Sequence, residues 1–187
     1  MKLFHFVGMG CLMALSVQAQ TDSTAKSTAA EIIQPQLRPS PLALAQYKTE
    51  TCYLKLTYGQ PMRKGREIFG KLEPYGKIWR TGANEATELT ITKEVKLAGR
   101  SVRPGTYTLF TIPNPDSWTI VLNSELGQWG AFNYKAENDY LRVDVPAQKN
   151  DQVYEALTFR FEETEAGADL HLMWDDVRVR IPFAFVK

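Results

Sequence analysis

The side chains best suited to chemistry in this sequence crowd into one stretch, Gly59 to Thr87, GQPMRKGREIFGKLEPYGKIWRTGANEAT. Lys64, Arg66 and Arg80 supply cationic donors. A guanidinium presents five N–H groups in a fixed fork that fits carboxylate, phosphate or sulfate, and it stacks on aromatic rings. Trp79 offers a flat apolar face of the kind that receives a sugar ring or a cation. Asn84 and Glu85 add orienting hydrogen bonds, and Trp129, in LGQWGAFNY, offers a second wall. Together these residues are the makings of a pocket for a small polar or anionic ligand, a glycan fragment among them. A structural reading competes with it: arginines can tie a long loop together through backbone carbonyls and glutamates. On that reading Glu67 and Glu73 pair with Arg63, Arg66 or Arg80. Glu85 is freer, because it follows Asn84 in a glycine-bent corner. A glycosidase-like hydrolase would rest on Glu85 as general acid or base, opposite a second carboxylate.

Other chemistries are narrower. Gly65 to Lys71 fits the G-x-x-x-x-G-K phosphate loop, but Leu72 stands where a hydroxyl should meet magnesium and no helical pattern follows. Beyond a leader only one histidine, His171, and one cysteine, Cys52, remain, too few for a zinc centre of His₃ or Cys/His type. His171 falls on the polar parity of its strand, which predicts an exposed imidazole, and no G-x-S-x-G elbow accompanies it. Glu137, Asn138 and Asp139 match no EF-hand spacing and read as a polar turn. No catalytic residue, metal or cofactor is assigned.

The elements that must hold the loop are strands. Cys52, Leu54, Leu56 and Tyr58 alternate with Tyr53, Lys55 and Thr57, the period of a half-buried strand, and this makes Cys52 a core thiol. A two-residue turn at Gly99-Arg100 would set Leu97 opposite Val102. TYTLFTI and WTIVL are apolar on both parities, as in central strands covered on both sides. Leu170, Leu172 and Trp174 share one parity and Val177, Val179 and Ile181 the other, which predicts a hairpin turning at Asp175-Asp176. The sum is an all-β chain, an antiparallel β-sandwich or jelly roll, with one long glycine-rich loop over 59–87. Ile68, Phe69, Leu72, Tyr75, Ile78 and Trp79 are too apolar to stay solvated, so the loop is expected to be ordered.

The first residues read as a secretory signal over 1–19: Lys2, an apolar run from Leu3 to Val17, then Val17-Gln18-Ala19 as a cleavage motif. The run is about 15 residues, short of the roughly 20 that span a membrane. Residues 20–46 are rich in Ser, Thr, Pro and Gln and read as a flexible tether, leaving 47–187 as one β domain. Removing 1–19 takes away Lys2 and leaves 21 basic against 21 acidic residues. A neutral chain has no long-range pull toward nucleic acid or anionic membrane. Periplasmic or secreted localisation is expected, and the oligomeric state is not fixed by any of these features.

The run GREIFGKLEPYGKIWRTGANEAT, followed by GTYTLFTIP, SWTIVLN and Trp129-Gly130, closely resembles the exported Bacteroidota family known as domain of unknown function 2911. The likeness runs from about Ser40 to Val186. It implies an exported β-rich domain and makes Arg66, Trp79, Arg80, Gly82, Asn84 and Glu85 part of the family's signature, with no activity attached. Three readings therefore stand: a binding module, a hydrolase using Glu85, and an envelope interaction domain with no ligand.

Overall fold

Period-2 alternation becomes pleat wherever the sequence shows it. The structure, a computed structural model, describes residues 37–186; the expected signal segment and most of the expected tether lie outside the described residues. Nine strands follow: β1 (Leu42–Lys48), β2 (Tyr53–Gly59), β3 (Thr87–Ile91), β4 (Val95–Leu97), β5 (Arg100–Val102), β6 (Gly105–Ile112), β7 (Ser117–Asn123), β8 (Asp139–Thr164) and β9 (Gly167–Phe185). They form one antiparallel sheet in the order β1-β2-β3-β6-β7-β8-β9-β4-β5. No α-helix occurs among the described residues, and none of their elements is a helix long and apolar enough to cross a membrane.

The sheet doubles over along β8. Its first part pairs with β7, Leu141 opposite Leu122 and Val145 opposite Trp118, and the rest pairs with β9. Register shifts between Lys149 and Tyr154, and again before Thr158, mark the bend; bulges of this kind let a strand pass from one layer to the next. Leu54, Leu56, Leu89 and Ile120 from one layer meet Leu157, Leu170, Leu172 and Ile181 from the other in a single core. The all-β sandwich expectation is met. Cys52 is buried in this core, and burial pushes its thiol upward.

Three local expectations are corrected. There is no turn at Asp175-Asp176: β9 runs straight through, Leu172 facing Phe159 and Val179 facing Ala147. Asp175 has φ 55°, so a left-handed residue inside one strand, rather than a hairpin, shifts the apolar parity between Trp174 and Val177. The β4–β5 turn is Ala98-Gly99, φ 45° and 82°, which pairs Val95 with Val102 and Leu97 with Arg100. A two-residue turn with both central φ positive accepts Gly at its second position readily, and that sets the register one residue earlier. His171 is 2 % exposed. Arg178 Nε donates to its Nδ1 at 3.1 Å, and its Nε2 lies 3.0 Å from Glu162 Oε2. Burial, then the Arg178 charge, pull its pKa down, and the bond Nδ1 accepts from Arg178 is one that only the neutral ring can make.

β6 and β7 are covered on both faces, as their composition requires. Their outer residues Phe110 and Val121 pack with Ala86, Ile78, Ala131 and Tyr134. Thr108 and Asn123, also fully buried, fasten the 124–135 segment to that face. Thr108 Oγ1 donates to Glu125 O at 2.6 Å, and Asn123 Nδ2 donates to Lys135 O at 3.0 Å.

Candidate functional site

The 59–87 loop is ordered by main-chain stitches along its length. Arg63 N donates to Glu155 O on β8, Gly76 N to Pro113 O, and Trp79 exchanges both of its main-chain bonds with Thr111 on β6. Glu85 lies opposite Trp129 in a second antiparallel bridge, whose bonds are made by the residues on either side, Gly130 N to Asn84 O and Ala86 N to Gln128 O. Gly59 and Ala83 come so close that a Cβ on Gly59 would lie 1.9 Å from Ala83 O, which explains glycine at the exit of β2. The corner TGANE is bent by two non-glycine residues in the left-handed region, Thr81 at φ 58° and Asn84 at φ 64°. For a β-branched threonine this conformation is strained. It is held by Thr81 Oγ1 bonding to Trp79 O and Thr111 Oγ1, and by Thr87 Oγ1 donating to Thr81 O at 2.9 Å.

The seven residues expected to share a site are divided among four places. Trp79 is 3 % exposed and stacks on Trp174 with ring centroids 5.8 Å apart and planes 16° from parallel. Trp118 and Phe69 complete this aromatic cluster edge-on. Its indole is core, with no face open to a ligand. Lys64 and Arg66 are exposed and line a separate hollow with Pro39, Ser40 and Met62. Arg66 is spent largely on the loop itself, Nε donating to Arg63 O at 2.9 Å and Nη2 to Met62 O at 2.5 Å. Arg80 is half-buried, its Nε without a hydrogen-bond partner, and its charge together with that of Arg66 acts on Glu73. Burial nonetheless pushes Glu73 up to about 7. Arg63 pairs with Asp175, N to O 2.8 Å, rather than with Glu67 or Glu73.

Glu85, Asn84 and Trp129 do come together, and Glu85 also lines a cleft beside β1–β3. Leu42, Thr57, Glu85, Glu88, Gly127 and Gln128 line this cleft, whose volume is about 230 Å³. The 84–88 and 127–130 segments are laced across it: Ala86 N to Gln128 O at 2.8 Å, Gly130 N to Asn84 O at 2.9 Å, and Gly127 N to Glu88 Oε1 at 3.0 Å. Trp129 stands 53 % exposed beside Glu85.

Three residues of this place, Arg38, Ser40 and Gln128, were not marked by the sequence reading. Arg38, in a proline-flanked segment read as tether, donates from Nη1 to both Glu85 oxygens at 2.5 Å, and its guanidinium lies 5.6 Å from the Trp129 ring centroid. Ser40 O accepts from Asn84 Nδ2 at 3.2 Å, and β1 starts at Leu42, inside the stretch read as tether. The only hint was the approach of apolar alternation at Leu42 and Leu44. Gln128, next to Trp129, is 7 % exposed; its Nε2 donates to Glu125 O at 3.0 Å, and its Oε1 is buried with no partner. Burial works to raise the Glu85 pKa, but the Arg38 hydrogen bonds and charge outweigh it and the net shift is downward. Among the described residues no group of three His, Cys, Asp or Glu side chains is placed to hold a metal ion.

Compared with protein families, residues 40–183 match the family described as protein of unknown function (DUF2911). The chain belongs to this family. No curated protein and no solved structure matches it. The DUF2911 match takes in all but the last two residues of the sandwich, including the 59–87 loop and the 124–135 segment that frame the cleft.

Proposed function

We propose that this DUF2911 chain is an exported binding module whose cleft beside Glu85 takes a small polar ligand rich in hydrogen-bond donors. The observation that carries the reading is the Gln128 carbonyl, buried without a partner in a residue that lines the cleft. A buried acceptor left unpaired costs about 1–3 kcal/mol, and such a cost persists where a ligand or water repays it. Strain at Thr81 and Asn84, within four residues of Glu85, belongs to the same corner. The polar groups at the cleft favour donors over anions, because Glu85 and Glu88 line it while Lys64 and Arg66 lie in another hollow. Hydrolysis through Glu85 draws no support from its ion pair, which keeps the carboxylate charged where a general acid would need its proton.

Calorimetric titration of the full chain with sugars, polyols, amino acids and amines tests the reading. Gln128→Met keeps the length of the side chain and removes the acceptor. It is expected to abolish binding of whichever compound the wild type takes, while the melting temperature holds or rises. A wild type that binds none of these compounds, or binding indifferent to Gln128→Met, overturns it.

A further inference from the structure

Glu85, one wall of the cleft, already holds a cation of the chain itself. Arg38 is held by one carboxylate, Glu85, and lies over one indole, Trp129. A carboxylate joined to an aromatic face is the pairing that takes up guanidinium and ammonium groups. Of the other polar side chains at the cleft, Glu88 adds a second carboxylate and Gln128 a buried acceptor. Glu88 receives the Gly127 amide and has no basic partner within ion-pair distance among the described residues. Gln128 Oε1 is unpartnered, and because Nε2 is committed to Glu125 O the amide is fixed with its oxygen away from that carbonyl. Arg38 balances Glu85, so Glu88 leaves the cleft with an excess of negative charge. Leu42, 67 % exposed, supplies an apolar wall.

We propose that the cleft takes a cationic amine, a guanidinium or ammonium group on a short apolar stem, and that Arg38 is its intramolecular stand-in. The ligand's head displaces Arg38 from Glu85 and Trp129, its stem lies along Leu42, and its remaining N–H groups reach Glu88 and Gln128. This rests on the binding function proposed above and adds the charge of the ligand. Displacement leaves the fold in place. Ser40 O stays on Asn84 and Pro41 O stays on Gln60 N at 2.8 Å, so only the Arg38 side chain has to swing away. Both members of the Arg38–Glu85 pair are partly open to water, at 25 % and 35 %, where an ion pair is readily exchanged.

A stand-in that fills its site nine-tenths of the time weakens a competing ligand about tenfold, and removing it restores that factor. The probe is butylguanidine, titrated calorimetrically into the full chain, with butylurea as its uncharged isostere. Arg38→Gln is expected to tighten butylguanidine about tenfold, and Arg38→Lys by less, since lysine keeps the charge without the fork. Glu85→Gln, in which Arg38 loses its anchor along with the ligand, is expected to lose butylguanidine binding even when combined with Arg38→Gln. Butylurea should respond to none of these changes. Butylguanidine affinity that is unchanged or weaker in both Arg38 variants overturns the stand-in. Binding confined to neutral compounds and dependent on Gln128 overturns the cation while the binding function survives. No binding of any compound, in any variant, ends both.

Discussion

Two titratable residues, half-buried Glu73 and buried His171, carry opposite pH signatures. Glu73 is raised to about 7 by burial, against the pull of Arg80 and Arg66. A raised carboxyl stabilises the fold at low pH and loses that contribution as pH climbs from its unfolded value through about 7. His171 is depressed by burial and Arg178, so its contribution is present above the ordinary histidine value and lost as pH falls below it. Glu73→Gln isolates the first. The variant is expected to gain about 3 kcal/mol on wild type between pH 4.5 and pH 8, at 1.36 kcal/mol per unit, measured by urea unfolding at the two pH values. A stability difference that does not change with pH would remove Glu73 from the account. These residues also show where reading a sequence stops. The polar parity of His171 was plain, but the outer face it occupies is roofed by Glu162 and Arg178, which pack over it. An indole carries no mark of which way it will turn, and Trp79 turned inward to Trp174.

Alternation along the strands was legible because it is a property of neighbouring residues: Leu54, Leu56 and Tyr58 are buried and Lys55 and Thr57 are not fully so. What joins the strands was less so. A turn and a left-handed bulge both shift apolar parity, and the sequence around Asp175 cannot distinguish them until β8 supplies a partner. The same limit hid the 37–41 segment, whose bonds to Asn84 and Glu85 span more than forty residues of sequence. Turn chemistry offers a test at this scale. Ala98 occupies a left-handed position at φ 45° where asparagine or glycine is at ease. Ala98→Asn is expected to stabilise by about 1 kcal/mol, read as a rise in melting temperature. The opposite case is Gly59→Ala, where the added methyl meets a main-chain oxygen; a loss of about 3 kcal/mol or more is expected. If Gly59→Ala melted with wild type, the close approach of β2 to Ala83 would be refuted.

Across the whole molecule, β8 is the member that both layers share, so neither layer has an independent framework. Unfolding is expected to be a single transition, with far-ultraviolet dichroism and intrinsic fluorescence tracing one curve in urea. Separated curves would show that the β1–β2–β3–β6–β7 layer survives without β9. Gln128 packs outside the shared core, and this explains how it can carry an unpaired acceptor without loosening the sandwich.

The placement of the four indoles has one more effect. Trp79 and Trp174 lie parallel inside the protein with Trp118 across them, while Trp129 alone faces water next to Glu85. A collisional quencher such as acrylamide therefore has a single indole within reach, and red-edge emission reports on the Arg38 guanidinium above it without any attached dye.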